Sequence, residues 1–216
     1  MLNREEIIQA VEKHKIIAIL RGFNEEQLIR TVEAMEKGGI RLAEVTFDQS
    51  GKISDEVTAS NIRLLNNRFA GKVRFGAGTV MTEKQVELAY QAGAEFIISP
   101  DCYEPVIKKT KELGMVSMPG AFSPTEAANA HRYGADFVKL FPNSEMKISY
   151  LKALSAPLSH IKFLAVGGVN TENLRDYLSA GAKGIGVATA IVDRKAISAG
   201  DYDAITRLAK SFTDLL

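Results

Sequence analysis

Two charged side chains stand where a strand-forming sequence should exclude charge. In Phe137-Val138-Lys139-Leu140-Phe141 alternate residues share a face, so Lys139 lies with two phenylalanines while Val138 and Leu140 take the other side. Partial burial there disfavours the ammonium and lowers its pKa, leaving an amine able to attack a carbonyl at neutral pH. The plainer reading is a lysine snorkelling at a strand end. In Leu42-Ala43-Glu44-Val45-Thr46-Phe47, Glu44 shares a face with Leu42 and Thr46, while Ala43, Val45 and Phe47 form an apolar set. A carboxylate shielded from water beside an amine suits proton shuttling, and its plainer reading is a salt bridge with Lys139 or Arg21. A third group is glycine-rich: Ala165-Val166-Gly167-Gly168-Val169-Asn170 and Gly186-Val187-Ala188-Thr189. Such turns let backbone N–H groups approach an anion, although tight turns use the same pair for geometry alone.

Something must bring these residues together, and the chain repeats one unit. Short apolar β-branched runs, each followed by a polar turn, a helical pattern and a glycine, occur eight times: 16–20, 42–47, 73–77, 96–99, 115–118, 137–141, 161–166 and 184–187. Thr82-Glu83-Lys84-Gln85 and Ser123-Pro124-Thr125-Glu126 read as capping boxes, with Pro124 at a first helical position that needs no N–H. Gly38-Gly39, Gly93, Gly114, Gly134 and Gly181 precede the next strand by a few residues, where a helix ends on positive φ. Continuous apolar strands joined through helices imply a parallel sheet covered on its faces. The expectation is one α/β domain over residues 1–216, a closed (β/α)8 TIM barrel, with an extra N-terminal helix over Asn3–Lys13 and a terminal helix around Ala204–Leu216. A doubly wound open sheet ranks lower, because no G-x-G-x-x-G follows the first strand. In such a barrel the active site lies at the carboxyl ends of the strands, which selects Arg21, Glu44, Thr46, Asp48, Thr79, Ser99, Lys139 and the glycine turns.

Composition narrows the function further. The 216 residues are 46% hydrophobic and 25% charged, and 27 Lys+Arg against 26 Asp+Glu give a net charge of +1. That balance disfavours nucleic acid or an anionic membrane as the main partner. One cysteine, Cys102, and three scattered histidines, His14, His131 and His160, offer no zinc spacing, so neither a metal nor a cofactor is expected. The start alternates charges with isoleucines, and no apolar run approaches membrane-spanning length. A cytoplasmic location is the expectation. The histidines read as surface or packing residues, and Tyr202-Asp203 as a solvated face.

Lys139 lies within Asp136-Phe137-Val138-Lys139-Leu140-Phe141-Pro142, and with it the chain resembles the 2-keto-3-deoxy-6-phosphogluconate (KDPG) and 4-hydroxy-2-oxoglutarate (KHG) aldolase family. The resemblance covers nearly the whole chain. It includes Ala43-Glu44-Val45-Thr46, Gly76-Ala77-Gly78-Thr79-Val80, Ala94 through Pro100, Met118-Pro119-Gly120, Gly167-Gly168-Val169 and Ala199-Gly200-Asp201-Tyr202-Asp203. It implies a metal-independent class I aldolase, a homotrimer without a cofactor, acting on a small keto acid. By motif position Lys139 would form a Schiff base with pyruvate and Glu44 would shuttle protons. Thr79 would hold the pyruvyl carboxylate, with Arg21, Pro100, Pro119, Phe141 and Val166 around the substrate. Gly167, Gly168, Ala188 and Thr189 would bind phosphate. A smaller unphosphorylated substrate, 4-hydroxy-2-oxoglutarate, and a barrel that binds sugar phosphates without turnover are the alternatives. Three motifs depart from the family pattern: Asp48 replaces an arginine, Val166 a threonine, and Ala188-Thr189 a Gly-Ser pair. An acid at position 48 is expected to repel a substrate anion.

Overall fold

The computed structural model describes residues 4–216. Nine parallel strands, β1 (Ile16–Leu20), β2 (Leu42–Thr46), β3 (Arg74–Gly78), β4 (Phe96–Ile98), β5 (Val116–Met118), β6 (Gly120–Ala121), β7 (Val138–Leu140), β8 (Phe163–Val166) and β9 (Gly184–Val187), run in the order β5-β4-β3-β2-β1-β9-β8-β7-β6. The two end strands are halves of one stave. Pro119 has no N–H to give a ladder and interrupts that stave, while the Ser117 carbonyl accepts from Asp136 and Phe137 and the Pro119 carbonyl from Lys139. The ring therefore closes, and the eight expected runs are its eight staves.

Helices α1 (Arg4–His14), α2 (Glu25–Lys37), α3 (Asp55–Arg68), α4 (Glu83–Gln91), α5 (Glu104–Glu112), α6 (Pro124–Arg132), α7 (Ile148–Ser155), α8 (Leu174–Ser179), α9 (Arg194–Ala199) and α10 (Tyr202–Thr213) surround it. Among the described residues none is long and apolar enough to cross a membrane. The helix-ending glycines Gly39, Gly93, Gly114, Gly134 and Gly181 all have positive φ. Ser123 and Glu126 form a reciprocal box, but the box expected at Thr82 is half built. Thr82 accepts from the Gln85 N–H at 3.2 Å, whereas the Gln85 side chain takes the Met81 N–H and donates to Asp55 at 3.1 Å, tying α4 to α3. A full box at Asn24 and Gln27 starts α2 and was not anticipated. The terminal helix begins two residues earlier than expected because Asp201 caps it, and Tyr202 is not simply solvated: it packs on the core beneath Arg30, 4.2 Å from the ring centroid. Asn3, the expected first residue of α1, lies outside the described residues.

The core has two shells, as strand alternation requires. Ala43, Val45, Phe47, Val138 and Leu140 pack outward beneath the helices. Leu42, Phe96, Met118, Phe137 and Leu164 fill the barrel, whose amino end is plugged by Ile7, Ile8 and Val11 of α1. Asp136, its side chain only 3% exposed, holds that plug in place by accepting from Arg4 at 2.6 Å, Lys111 at 2.8 Å and the Ser117 N–H. With the amino end closed, access to the interior is from the carboxyl ends of the strands.

Candidate active site

Lys139 and Glu44 both point into the barrel, at 7% and 2% exposure. Removal from water dominates each. Burial pushes the Lys139 amine below its ordinary value, with Glu44 opposing and Arg21 adding to the effect. Burial likewise pushes the Glu44 carboxyl above its ordinary range, with Lys139 and Arg21 opposing. Glu44 Oε2 has no hydrogen-bond partner among the described residues, which is costly unless a substrate or proton supplies one. Beneath the pair, Ile17, Ile19, Ile98 and Leu164 line an apolar void of about 10 Å³, the lower limit for a single water. Lys139 Nζ stands 4.4 Å from the centroid of the Phe141 ring. The alternation that placed both charges inward is borne out.

A cleft of about 550 Å³ opens above them, within the range that holds small ligands. Arg21, Glu44, Thr79, Pro100, Lys139, Phe141, Val166, Gly167, Gly168, Ala188 and Thr189 all line it. Pro119 does not. Its place is in the barrel wall, where it splits the stave and presents its carbonyl to Lys139.

Thr79 takes φ +54°, a left-handed conformation that a β-branched residue pays for. Two clasps hold it there: Arg21 donates to its hydroxyl at 3.0 Å and Gln49 to its carbonyl at 3.0 Å. Gln49 is a site neighbour that sequence reading missed, since a polar loop residue carries no periodic signal. The residue before Thr79 is constrained as well. A Cβ on Gly78 would fall 2.4 Å from Glu44 Oε2, so only glycine leaves room for the carboxylate.

Across the cleft, Gly167 (φ +101°) and Gly168 (φ +72°) turn the chain after β8. Asn173 donates to the Gly168 carbonyl at 3.0 Å, leaving that turn's shape fixed from below. Val166 packs against β9 closely enough that a Cβ on Gly186 would lie 2.9 Å from its Cγ2.

The expectation for Asp48 is overturned. Its side chain does not line the cleft but folds back into its own loop, where it accepts from the Ser50 N–H and hydroxyl, the Lys52 N–H at 2.9 Å and the Ile53 N–H at 3.0 Å. Led by the Ser50 hydroxyl, these donors pull its pKa down to about 2. The acid at this position organises a turn instead of lining the cleft.

Barrel, buried amine and facing carboxylate define a protein equipped for carbonyl chemistry through an imine. The sequence matches the KDPG and KHG aldolase family over residues 7–208, and the chain belongs to that family. It is 29% identical to the 2-dehydro-3-deoxy-phosphogluconate aldolase of Haemophilus influenzae, covering 98% of this chain and 97% of the other. With the 2-dehydro-3-deoxy-6-phosphogalactonate aldolase of Escherichia coli it shares 33% identity over 82% of this chain and 84% of that one. Among solved structures it superposes at a TM-score of 0.85 on a KDPG aldolase from Legionella pneumophila with pyruvate captured as a covalent carbinolamine, at 29% identity and 94% and 97% coverage.

Proposed function

We propose that this protein is a metal-independent class I aldolase that cleaves a 2-keto-3-deoxy sugar acid, 6-phosphorylated, to pyruvate and glyceraldehyde 3-phosphate. The observation that carries this reading is a lysine amine, kept below its ordinary pKa by burial, beside a buried carboxyl with an oxygen unpartnered among the described residues, both at the floor of a ligand-sized cleft. Lys139 Nζ adds to the C2 ketone; the carbinolamine loses water, and the resulting iminium is the electron sink. Glu44 removes the C4 hydroxyl proton as the C3–C4 bond breaks, so its electron pair passes into the iminium to give an enamine and the free aldehyde. Protonation of the enamine at C3 and hydrolysis return pyruvate and the lysine. Arg21 and Thr79 hold the pyruvyl carboxylate. The backbone of Gly167, Gly168 and Ala188 and the Thr189 hydroxyl take the phosphate, which needs no side-chain cation. The relatives' names span the gluconate and galactonate series, which differ at C4, so the configuration handled is left to assay. A homotrimer in the cytoplasm goes with this reading.

Borohydride trapping tests the mechanism. Reduction in the presence of pyruvate should attach a pyruvyl-derived group to Lys139, and Lys139→Ala should lose both the label and at least about 10³-fold of turnover. Labelling of another lysine overturns the assignment. EDTA should leave turnover unchanged; loss restored by a divalent metal would indicate a metal-dependent aldolase. A substrate panel decides the rest: if unphosphorylated 4-hydroxy-2-oxoglutarate is cleaved as well as the phosphorylated acid, the phosphate contacts are wrong.

A further inference from the structure

At the opposite end of the barrel α1 lies across the feet of the strands and leaves a hollow of about 670 Å³. Its walls are one face of α1, Arg41 at the foot of β2, the α3–β3 turn bearing Lys72, Arg74 at the start of β3, and Glu95 at the foot of β4. Five lining side chains are basic, Lys13, His14, Arg41, Lys72 and Arg74, against two acidic ones. Both acids approach the same cation: Arg74 lies 2.5 Å from Glu95 and 3.9 Å from Glu6. Arg41 is held by the Glu36 and Ile40 carbonyls and stands 4.0 Å from the Glu36 carboxylate. Lys13 and Lys72, both exposed, meet no acid among the described residues.

Cations often gather where helices end, drawn by unpaired carbonyls. That explanation accounts for Lys13 and His14 in the last turn of α1 and for Arg41 beside the end of α2, but not for Lys72, because the Phe69 carbonyl at the end of α3 already accepts from the Lys72 and Val73 N–H groups and Asn66 donates to the Ala92 and Gly93 carbonyls. Burial first, and then the charges of Lys13, Arg41 and Arg74, hold the His14 imidazole below its ordinary pKa. Uncommitted cations around a concavity of ligand size form a receptor for negative charge.

We propose that this hollow binds a small solute carrying two or more oxyanions, a polycarboxylate or a phosphorylated acid, with Lys13 and Lys72 as its contact cations and Arg41 and His14 beside it. Bound there, the anion bridges α1 to the α3–β3 turn and stabilises the barrel's plug. It leaves the cleft untouched. A negative charge beside His14 favours the imidazolium, so binding near neutral pH draws a proton onto a ring that faces Lys13 of α1, Arg41 before β2 and Arg74 of β3, with Glu6 and Glu95 in the same walls.

Calorimetry with citrate and, separately, inorganic phosphate at constant ionic strength tests the site. We expect saturable binding, a Tm that rises with ligand, and proton uptake when buffers of different ionisation enthalpy are compared. Citrate binding tighter than phosphate identifies a polycarboxylate site, the reverse a phosphate site. The double variant Lys13→Gln/Lys72→Gln should fold, keep wild-type turnover and bind at least tenfold more weakly. His14→Gln should bind but take up no proton. Phosphate that still binds to the double variant belongs to the cleft, so this site and the lyase reading fail separately. Absence of saturable citrate or phosphate binding, or equal affinity in wild type and double variant, overturns the site.

Discussion

Glu44 and Asp48 belong to one βα unit, four positions apart, and have opposite fates. Glu44 is in the middle of β2, buried, with one oxygen unpartnered among the described residues and its pKa raised by loss of water. Asp48 is in the following loop, saturated by four N–H and O–H donors, with a pKa of about 2. The first is a carboxyl left under-satisfied and therefore ready to exchange a proton. The second is locked as an anion and serves geometry alone. Residue type says nothing about which is which; environment decides.

The largest expected effect comes from the first carboxyl. Glu44→Gln keeps the shape and removes the base, so turnover should fall by roughly 10²- to 10⁴-fold while pyruvate still traps on Lys139. The pH profile sharpens the assignment. Because the carboxyl titrates above its ordinary range, the base form should be lost on acidification at a pH higher than an exposed glutamate would show, and this acid limb should vanish in Glu44→Gln. Unchanged turnover would make Glu44 a structural partner of Lys139 and erase its contrast with Asp48.

Gly78→Ala attacks the same carboxyl from its backbone neighbour. A methyl 2.4 Å from Glu44 Oε2 must displace it, and a misplacement of this order costs about 10²-fold in rate. In the Glu44→Gln background the same substitution should cost much less, because the two changes act through one group. Equal losses in both backgrounds would mean that Gly78 matters for packing only.

The contrast also marks what a sequence can show. Facing within a strand is legible because the pleat has a strict period of two, and the inward placement of Glu44 and Lys139 followed from it. The glycine turns followed from their place in the repeat. Loops have no such period, so Asp48 was misassigned and Gln49 missed. Ser50 two positions on, with Asp48 at a strand exit, was the available sign of a side chain bonding its own turn. Pro119 enters the expected site through the family motif Met118-Pro119-Gly120, whereas its lack of an N–H marks it as a break in the stave.

Substitutions at Asp48 test the second half of the comparison, and smaller effects are expected. Its folded pKa is depressed, so its support of the loop is fully present above the unfolded value of about 3.9 and is lost as pH falls toward 2. Amide exchange of Ser50, Lys52 and Ile53 should therefore hold steady from neutral pH down to about 4, once corrected for intrinsic rates, and quicken below. Asp48→Asn should loosen the same amides at neutral pH and raise KM by roughly threefold to tenfold through the Gln49 contact with Thr79. Asp48→Arg should do the same. An arginine variant with improved turnover would show that position 48 reaches the substrate after all.

Val166 gives the smallest expected effect. It is an inward strand position like Glu44, only 6% exposed, and it forms a wall shared by the cleft and the void beneath it. Valine and threonine have nearly the same shape, so Val166→Thr adds a hydroxyl without a change in volume. In the unliganded protein that hydroxyl faces Gly186 and apolar neighbours and should cost about 1 kcal/mol of stability. With substrate bound, it offers a hydrogen bond to one C4 epimer's hydroxyl and not to the other's. The ratio of kcat/KM for the two epimers should then shift by up to about tenfold, with little change in pyruvate trapping. A ratio that does not move, beside a Tm that falls, would place this residue in the barrel's packing and leave C4 selection to the Arg21–Thr79 side of the cleft.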